Sequence, residues 1–230
     1  MLQSEQKISL NGYWDFMPFY DRESVFELPA SLKYEEEKVI VPSTWRGFSS
    51  DSDKIDKYDF YPMNVFDYPK EWSRAMCGIL HRSFTYKKHD NERVFIKFDA
   101  VGQETHVILN GEKIAVWDEG YLPLEIEITD KVKDENELYV LCSTWKKVKI
   151  PSGAEKSTAL VGSWFGYLMR GIWQDCMLIT RPSVYISDCE IVPSVRREKI
   201  DINISVDGST EELEAIAEIK DKDGKTVKTV

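Results

Sequence analysis

Apolar residues recur at every second position along most of this chain, a period that gathers them on one face of a β-strand and scatters them around a helix. In residues 92–99, Val94, Ile96 and Phe98 share a face. In residues 122–128, Leu122, Leu124, Ile126 and Ile128 alternate with Pro123, Glu125 and Glu127. Runs at 78–86, 136–145 and 171–181 are rich in β-branched or aromatic residues and read as further strands. Asn110-Gly111 separates the short runs 105–109 and 112–116. A two-residue type I′ turn needs φ > 0 at both central positions, which this dipeptide tolerates. Sustained helical periodicity is hard to find. Residues 209–219 fit a short helix, and 215–219 fit a strand equally well. Many strands joined by short turns predict an all-β sandwich or barrel.

Two stretches break the alternation. Residues 35–72 hold many Asp, Ser, Tyr and Pro, and residues 146–169 place Gly153, Gly162 and Gly166 beside Trp164, Phe165 and Tyr167. Long irregular segments inside a domain usually serve function or pack over a sheet. A boundary is expected at Arg181-Pro182, giving one domain over 1–182 and a second over 183–230. In the second, runs at 184–192, 199–206, 215–222 and 225–230, the last two joined by Asp223-Gly224, make a set of strands too small for a sandwich of the immunoglobulin type. Such a sandwich needs about seven. Residues 183–230 are therefore expected to be an incomplete sandwich, poorly packed or edge-paired, and the chain to be a piece of a longer one.

Charge excludes some partners. Lys and Arg number 30 against 40 Asp and Glu, a net charge of −10, which argues against a nucleic-acid footprint. No apolar run approaches the roughly 18–20 residues that a membrane helix needs. The opening MLQSEQKISL has no apolar core of a signal peptide, so with Met1 as the start a cytoplasmic location is implied. Cys77, Cys142, Cys176 and Cys189 form no metal-ligand spacing and are expected to be buried thiols. His81, His89 and His106 are scattered, which speaks against a histidine-based metal or catalytic centre.

Several motifs stand in a definite order. Leu10-Asn11-Gly12-Tyr13-Trp14-Asp15-Phe16 is followed by Val41-Pro42-Ser43-Thr44-Trp45, by His81-Arg82-Ser83-Phe84 and by Phe98-Asp99-Ala100-Val101-Gly102. Leu109-Asn110-Gly111, Asp130, Asn136-Glu137-Leu138 and Arg170-Gly171-Ile172-Trp173-Gln174-Asp175 complete the series. From about Leu10 to Pro182 it resembles the N-terminal sugar-binding domain of glycoside hydrolase family 2, the group of β-galactosidases, β-glucuronidases and β-mannosidases. The resemblance implies a jelly-roll β-sandwich of the galactose-binding-domain type, then an immunoglobulin-like β-sandwich truncated here, then a (β/α)8 barrel that carries both catalytic carboxylates. It implies that this chain is the non-catalytic N-terminal portion of a glycosidase that hydrolyses O-glycosyl bonds, such as a β-galactosidase. No catalytic residue, metal or cofactor is then expected within it. Its partners would be carbohydrate and the C-terminal barrel, and an uncovered docking face would favour homo-oligomers. A free-standing carbohydrate-binding module of jelly-roll fold and a structural adhesion sandwich are the alternatives.

Sugar recognition sets aromatic faces against the apolar side of a pyranose and planar polar groups against its hydroxyls. Trp164, Phe165, Tyr167 and Arg170 form the densest such cluster and are the candidate sugar-binding residues. In the resembling family the loop before the GIxxD strand reaches toward the barrel's active site, and some members carry an acidic residue there. Ser163-Trp164-Phe165-Gly166 has none. Packing against the barrel, sugar contact and a place in the local core all stay open for this cluster. Arg170 also suits an ion pair with Asp175 or Asp15. Trp14 and Trp45 are expected in the core, one of Ile172 and Trp173 faces inward, and Trp117 belongs on the sandwich rim.

Overall fold

The structure is a computed structural model that describes residues 5–22, 24–45, 68–159, 168–208, 214 and 216–229. The described strands are β1 (Gln6–Ser9), β2 (Gly12–Phe19), β3 (Val39–Val41), β4 (Cys77–Thr85), β5 (Glu92–Phe98), β6 (Glu104–Leu109), β7 (Glu112–Trp117) and β8 (Leu124–Glu127). They continue with β9 (Glu135–Ser143), β10 (Trp145–Lys149), β11 (Glu155–Ala159), β12 (Cys176–Pro182), β13 (Tyr185–Ser194), β14 (Lys199–Asp207), β15 (Glu218–Lys220) and β16 (Thr226–Thr229). Among the described residues the one helical element is a 3-10 turn, Lys70–Arg74, and no helix is long and apolar enough to cross a membrane. The all-β prediction holds.

Two antiparallel sheets face each other. One has the order β1-β12-β5-β8 and the other β3-β2-β4-β9-β6-β7. Side chains at alternate positions fill the space between them: Val94, Ile96, Phe98, Leu124, Ile126 and Leu178 from the first sheet meet Trp14, Phe16, Leu80, Val107, Leu138 and Val140 from the second. Trp14 and Trp45 are fully enclosed, as the sequence implies. Asn110 (φ 53°) and Gly111 (φ 86°) make the predicted turn between β6 and β7.

The six-stranded sheet is covered on its outer face as well. Phe19, Val25, Ile79, Ile108 and Leu141 form a second cluster, closed by Met17, Leu28, Leu32 and Tyr139. The cover is the segment after β2, running through Val25 to Leu32. This explains why the first half of β4 and the end of β6 are continuously apolar rather than alternating. The far end of the cover is held by charge. His81 lies between the rings of Tyr34 (5.4 Å) and Tyr139 (4.6 Å). Its Nδ1 is 3.0 Å from Asp15 Oδ2 and its Nε2 is 2.5 Å from Glu137 Oε2. Lys38 Nζ donates to Asp15 Oδ1 at 2.6 Å.

Three strands fall where none is read from the sequence, and other expectations change. β1, β2 and β3 lie in stretches without a clear alternating signal; Gln6–Ser9 is an edge strand with every residue exposed, so nothing apolar marks it. Leu122 lies outside β8 and is 55% exposed, because the strand begins only at Leu124. Residues 146–169 are not irregular throughout. Most of β10 and all of β11 fall in that stretch and pair as a two-stranded ribbon around Gly153 (φ 83°). Its strands carry mostly Lys, Glu, Ser and Thr, so no hydrophobic period betrays them. Cys77, Cys142 and Cys176 are buried, but Cys189 is exposed on β13, whose side chains mostly face solvent.

Burial alone would raise the Asp15 carboxyl, but its hydrogen bonds from Lys38 and His81 outweigh it and hold the group below the ordinary 3.8. Its contribution to stability is therefore present above the ordinary carboxylate range and lost as pH falls through the depressed value. The urea midpoint is expected to drop on acidification from about pH 5 to about pH 3. Asp15→Asn should lower the midpoint at pH 7 and flatten that acid dependence. An unchanged slope in the variant would show that this carboxylate does not hold the cover.

Candidate functional site

At one end of the sandwich the ribbon β10–β11 leads into residues 160–167, and the chain returns at Leu168. Trp164, Phe165 and Tyr167 lie outside the described residues; of the predicted cluster only Arg170 is placed. Arg170 is buried. Its Nη1 donates to the Ser73 carbonyl at 2.5 Å, and its backbone N–H donates to Thr44 Oγ1 at 3.2 Å. Asp15 is engaged by Lys38 and His81, and Asp175 Oδ1 accepts from Asn11 Nδ2 at 2.9 Å. Arg170 thus ties the approach to β12 to the 3-10 turn through a backbone carbonyl.

The next residue shows why the base is rigid. Gly171 has φ 76°, and a Cβ there would lie 2.7 Å from Trp45 Cε3. The indole of Trp45 rests on bare backbone, packs on Phe16 at 5.0 Å and donates from Nε1 to the Ala75 carbonyl at 3.2 Å. Phe16 meets Trp72 edge-on at 4.8 Å. Backbone bonds from Ser43 to Ile172 (3.1 Å) and from Gly102 to Gly171 (2.9 Å) close the arrangement. Ile172 is buried and Trp173 half-buried, although the strand expected over 171–181 begins only at Cys176, so irregular backbone rather than strand alternation orients them. The two most specific sequence motifs also meet, since Cys176 N–H donates to Asn11 Oδ1 at 2.9 Å.

Around the rim, Trp117 Nε1 donates to the Glu119 carbonyl (2.9 Å) and Trp173 Nε1 to the Gly120 carbonyl (3.2 Å). Tyr121 stands perpendicular to Trp173 and is 56% exposed. Lys146 pairs with Asp118. Burial raises the nearby Glu104 carboxyl, Lys146 opposing and Asp118 adding to the shift. These groups offer aromatic surface and hydrogen-bonding edges. Among the described residues no group of three or more His, Cys, Asp or Glu is gathered as a metal site would require. What the sequence hides is the Asp15–His81–Glu137 network and the inward-facing Arg82, whose partners are distant along the chain and carry no local pattern.

Two facing antiparallel sheets with aromatic residues along one rim make a jelly-roll β-sandwich. The profile described as glycosyl hydrolases family 2, sugar binding domain, matches residues 8–182, and the chain belongs to that family. A β-galactosidase of Alteromonas mediterranea is 29% identical over 211 residues, covering 87% of this chain and 19% of that protein. A β-galactosidase of Lactococcus lactis is 27% identical over 217 residues, covering 92% of this chain and 20% of that one. The chain therefore spans about a fifth of the length of these curated relatives. Among solved structures, a β-glucuronidase of an uncultured Clostridium sp. shares the fold at a TM-score of 0.71 with 21% identity, over 99% of this chain and 38% of that one. A β-D-glucuronidase of Dictyoglomus thermophilum gives 0.67 with 17% identity, over 99% and 36%.

Gly171→Ala is expected to cost about 2–4 kcal/mol, combining backbone strain with overlap on Trp45. Gly111→Ala, at a similar φ but with nothing within 4 Å of the new methyl, should cost only about 1 kcal/mol. Urea unfolding of the two variants measures the difference. Equal losses would mean that the Trp45 contact contributes nothing.

Proposed function

We propose that this chain is the non-catalytic sugar-binding and buttressing portion of a family 2 β-glycosidase, of the β-galactosidase kind. The observation that carries this is the family match over residues 8–182 in relatives about five times longer. Retaining glycoside hydrolysis needs two carboxyl groups about 5–5.5 Å apart across a sugar pocket. In this proposal both belong to a part of the parent protein outside these residues. The role left to the sandwich is to anchor this part of the chain through Arg170, with Trp164, Phe165 and Tyr167 as the groups offered to substrate or to the neighbouring catalytic domain.

Residues 183–230 fit the opening of a second, immunoglobulin-like sandwich after a jelly roll over 1–182. β13–β14 and β15–β16 are separate ribbons, and Ile191, Ile200, Ile204 and Val227 lie exposed on them. An apolar groove of about 740 Å³ runs between the ribbons, floored by Ile200, Ile202, Ile204 and Ile219. Further strands of the parent would cover it.

Purified residues 1–230 should show only background hydrolysis of 4-nitrophenyl β-galactoside and β-glucuronide, and the reading frame should continue past Val230 into a βα repeat of about 250 residues. Turnover by the isolated chain, or a stop codon after Val230, would overturn the proposal.

A further inference from the structure

The cover on the outer face of the six-stranded sheet lies over a histidine at each end, and the two are surrounded in opposite ways. At the far end His81 has a carboxylate on either side, Asp15 at Nδ1 and Glu137 at Nε2. At the near end His106 of β6 lies beneath Phe26, ring centroids 5.0 Å apart, and is 8% exposed. Its Nδ1 is shut away from solvent with no hydrogen-bond partner. A neutral imidazole can leave that nitrogen as a bare lone pair, whereas a charged ring would bury an N–H donor without an acceptor. Among the described residues no carboxylate pairs with it. Val116 of β7 and Leu141 of β9 stand directly opposite. Glu104, two residues away on β6, interacts with Lys146 and Asp118 instead. From the cover, Phe26 brings no charge and Glu27 is exposed. Burial, with the like charge of Lys113 on β7 adding to it, holds the His106 ring below the ordinary 6.5.

The two ends also differ in how firmly they are fastened. At the far end the Glu35 N–H donates to the Phe16 carbonyl at 2.8 Å, Tyr34 stacks on His81, and Lys38 pairs with Asp15. At the near end the Val25 N–H donates to Ser143 Oγ at 3.3 Å, and Cys77 Sγ donates to the Arg22 carbonyl at 3.5 Å. Phe26 is itself 40% exposed, so one ring separates His106 from water. Lifting that end wets the imidazole and lets it take a proton. The open form then binds a proton at higher pH than the closed form does, so acid favours opening. The gain begins as pH falls below 6.5 and ends once pH has dropped through the depressed value of the closed ring.

We infer that the cover is an acid-released strap, hinged at Tyr34 and His81 and opening from Phe26, which uncovers Ile79, Ile108 and Leu141 while the sandwich stays folded. It is independent of the function proposed above. The test is amide hydrogen exchange of the 230-residue chain by NMR from about pH 7.5 to about pH 5.5, corrected for the intrinsic exchange rate. Protection of the Val25 amide should fall by up to about tenfold per pH unit below 6.5. The Glu35 amide and the amides of β4 and β9 should keep theirs. H106L cannot take a proton and keeps an apolar contact with Phe26, so it should abolish the pH dependence. K113M, at an exposed position, removes the like charge and should reduce the acid loss, which keeps the test open if H106L fails to fold. Val25 protection that does not change with pH, a pH dependence unmoved by both H106L and K113M, or an equal acid loss at Val25, Glu35 and β4 would each overturn the inference.

Discussion

The indole of Trp45 occupies the space that any side chain at position 171 would need, and one whole end of the sandwich is organised around that contact. Residues 39–45, the 3-10 turn, β2 and the approach to β12 are far apart in sequence, yet all touch Trp45 or the rings packed on it. Gly171 allows the approach twice over, through its positive φ and its missing side chain. Arg170 is fixed as a consequence. Its guanidinium reaches the Ser73 carbonyl because the backbone on either side of it is already placed. The approach to β12 is therefore seated on residues 39–45 and the 3-10 turn.

The six-stranded sheet is asymmetric in how it is shielded. Its inner face meets the opposing sheet, while its outer face is covered by an extended segment of chain rather than by a second layer of regular structure. Apolar contact through Val25, Leu28 and Leu32 secures the cover near β4, and the Lys38–Asp15–His81–Glu137 network secures its far end. On the other side of the molecule a different device joins the sandwich to the β13–β14 ribbon. Arg93 and Arg181 lie over both Phe95 and Tyr185, and Arg93 bridges Glu127 of β8 to Asp207 of β14. Planar guanidinium groups gripping carboxylates in pairs while stacked on rings make a stiff connection.

Much of the fold is legible in the sequence because burial on one face writes a period of two. Val94, Ile96 and Phe98 show it, and Asn110-Gly111 marks the turn that the backbone adopts. The motif order around Asn11 and Asp175 is legible too, and the structure supplies its cause, since Asn11 bonds both Asp175 and Cys176. The ribbon β10–β11 escapes because neither face is buried enough to select apolar residues. His81 gives no local signal because its partners lie 66 and 56 residues away and are themselves ordinary surface types. For the cluster over 164–170, the sequence singles out Arg170 but cannot show that its guanidinium donates to a backbone carbonyl, which no side-chain pattern encodes.

The distribution of thiols gives the molecule an unplanned experimental convenience. Burial pushes Cys77 and Cys142 up to about 12 and Cys176 higher still, so none of these three offers a thiolate near neutrality. Cys189 sits alone in the open on the far side of the arginine joint. A maleimide dye or nitroxide would therefore attach at a single point, on the ribbon whose orientation relative to the sandwich is the quantity of interest, without any engineering of the rest of the chain.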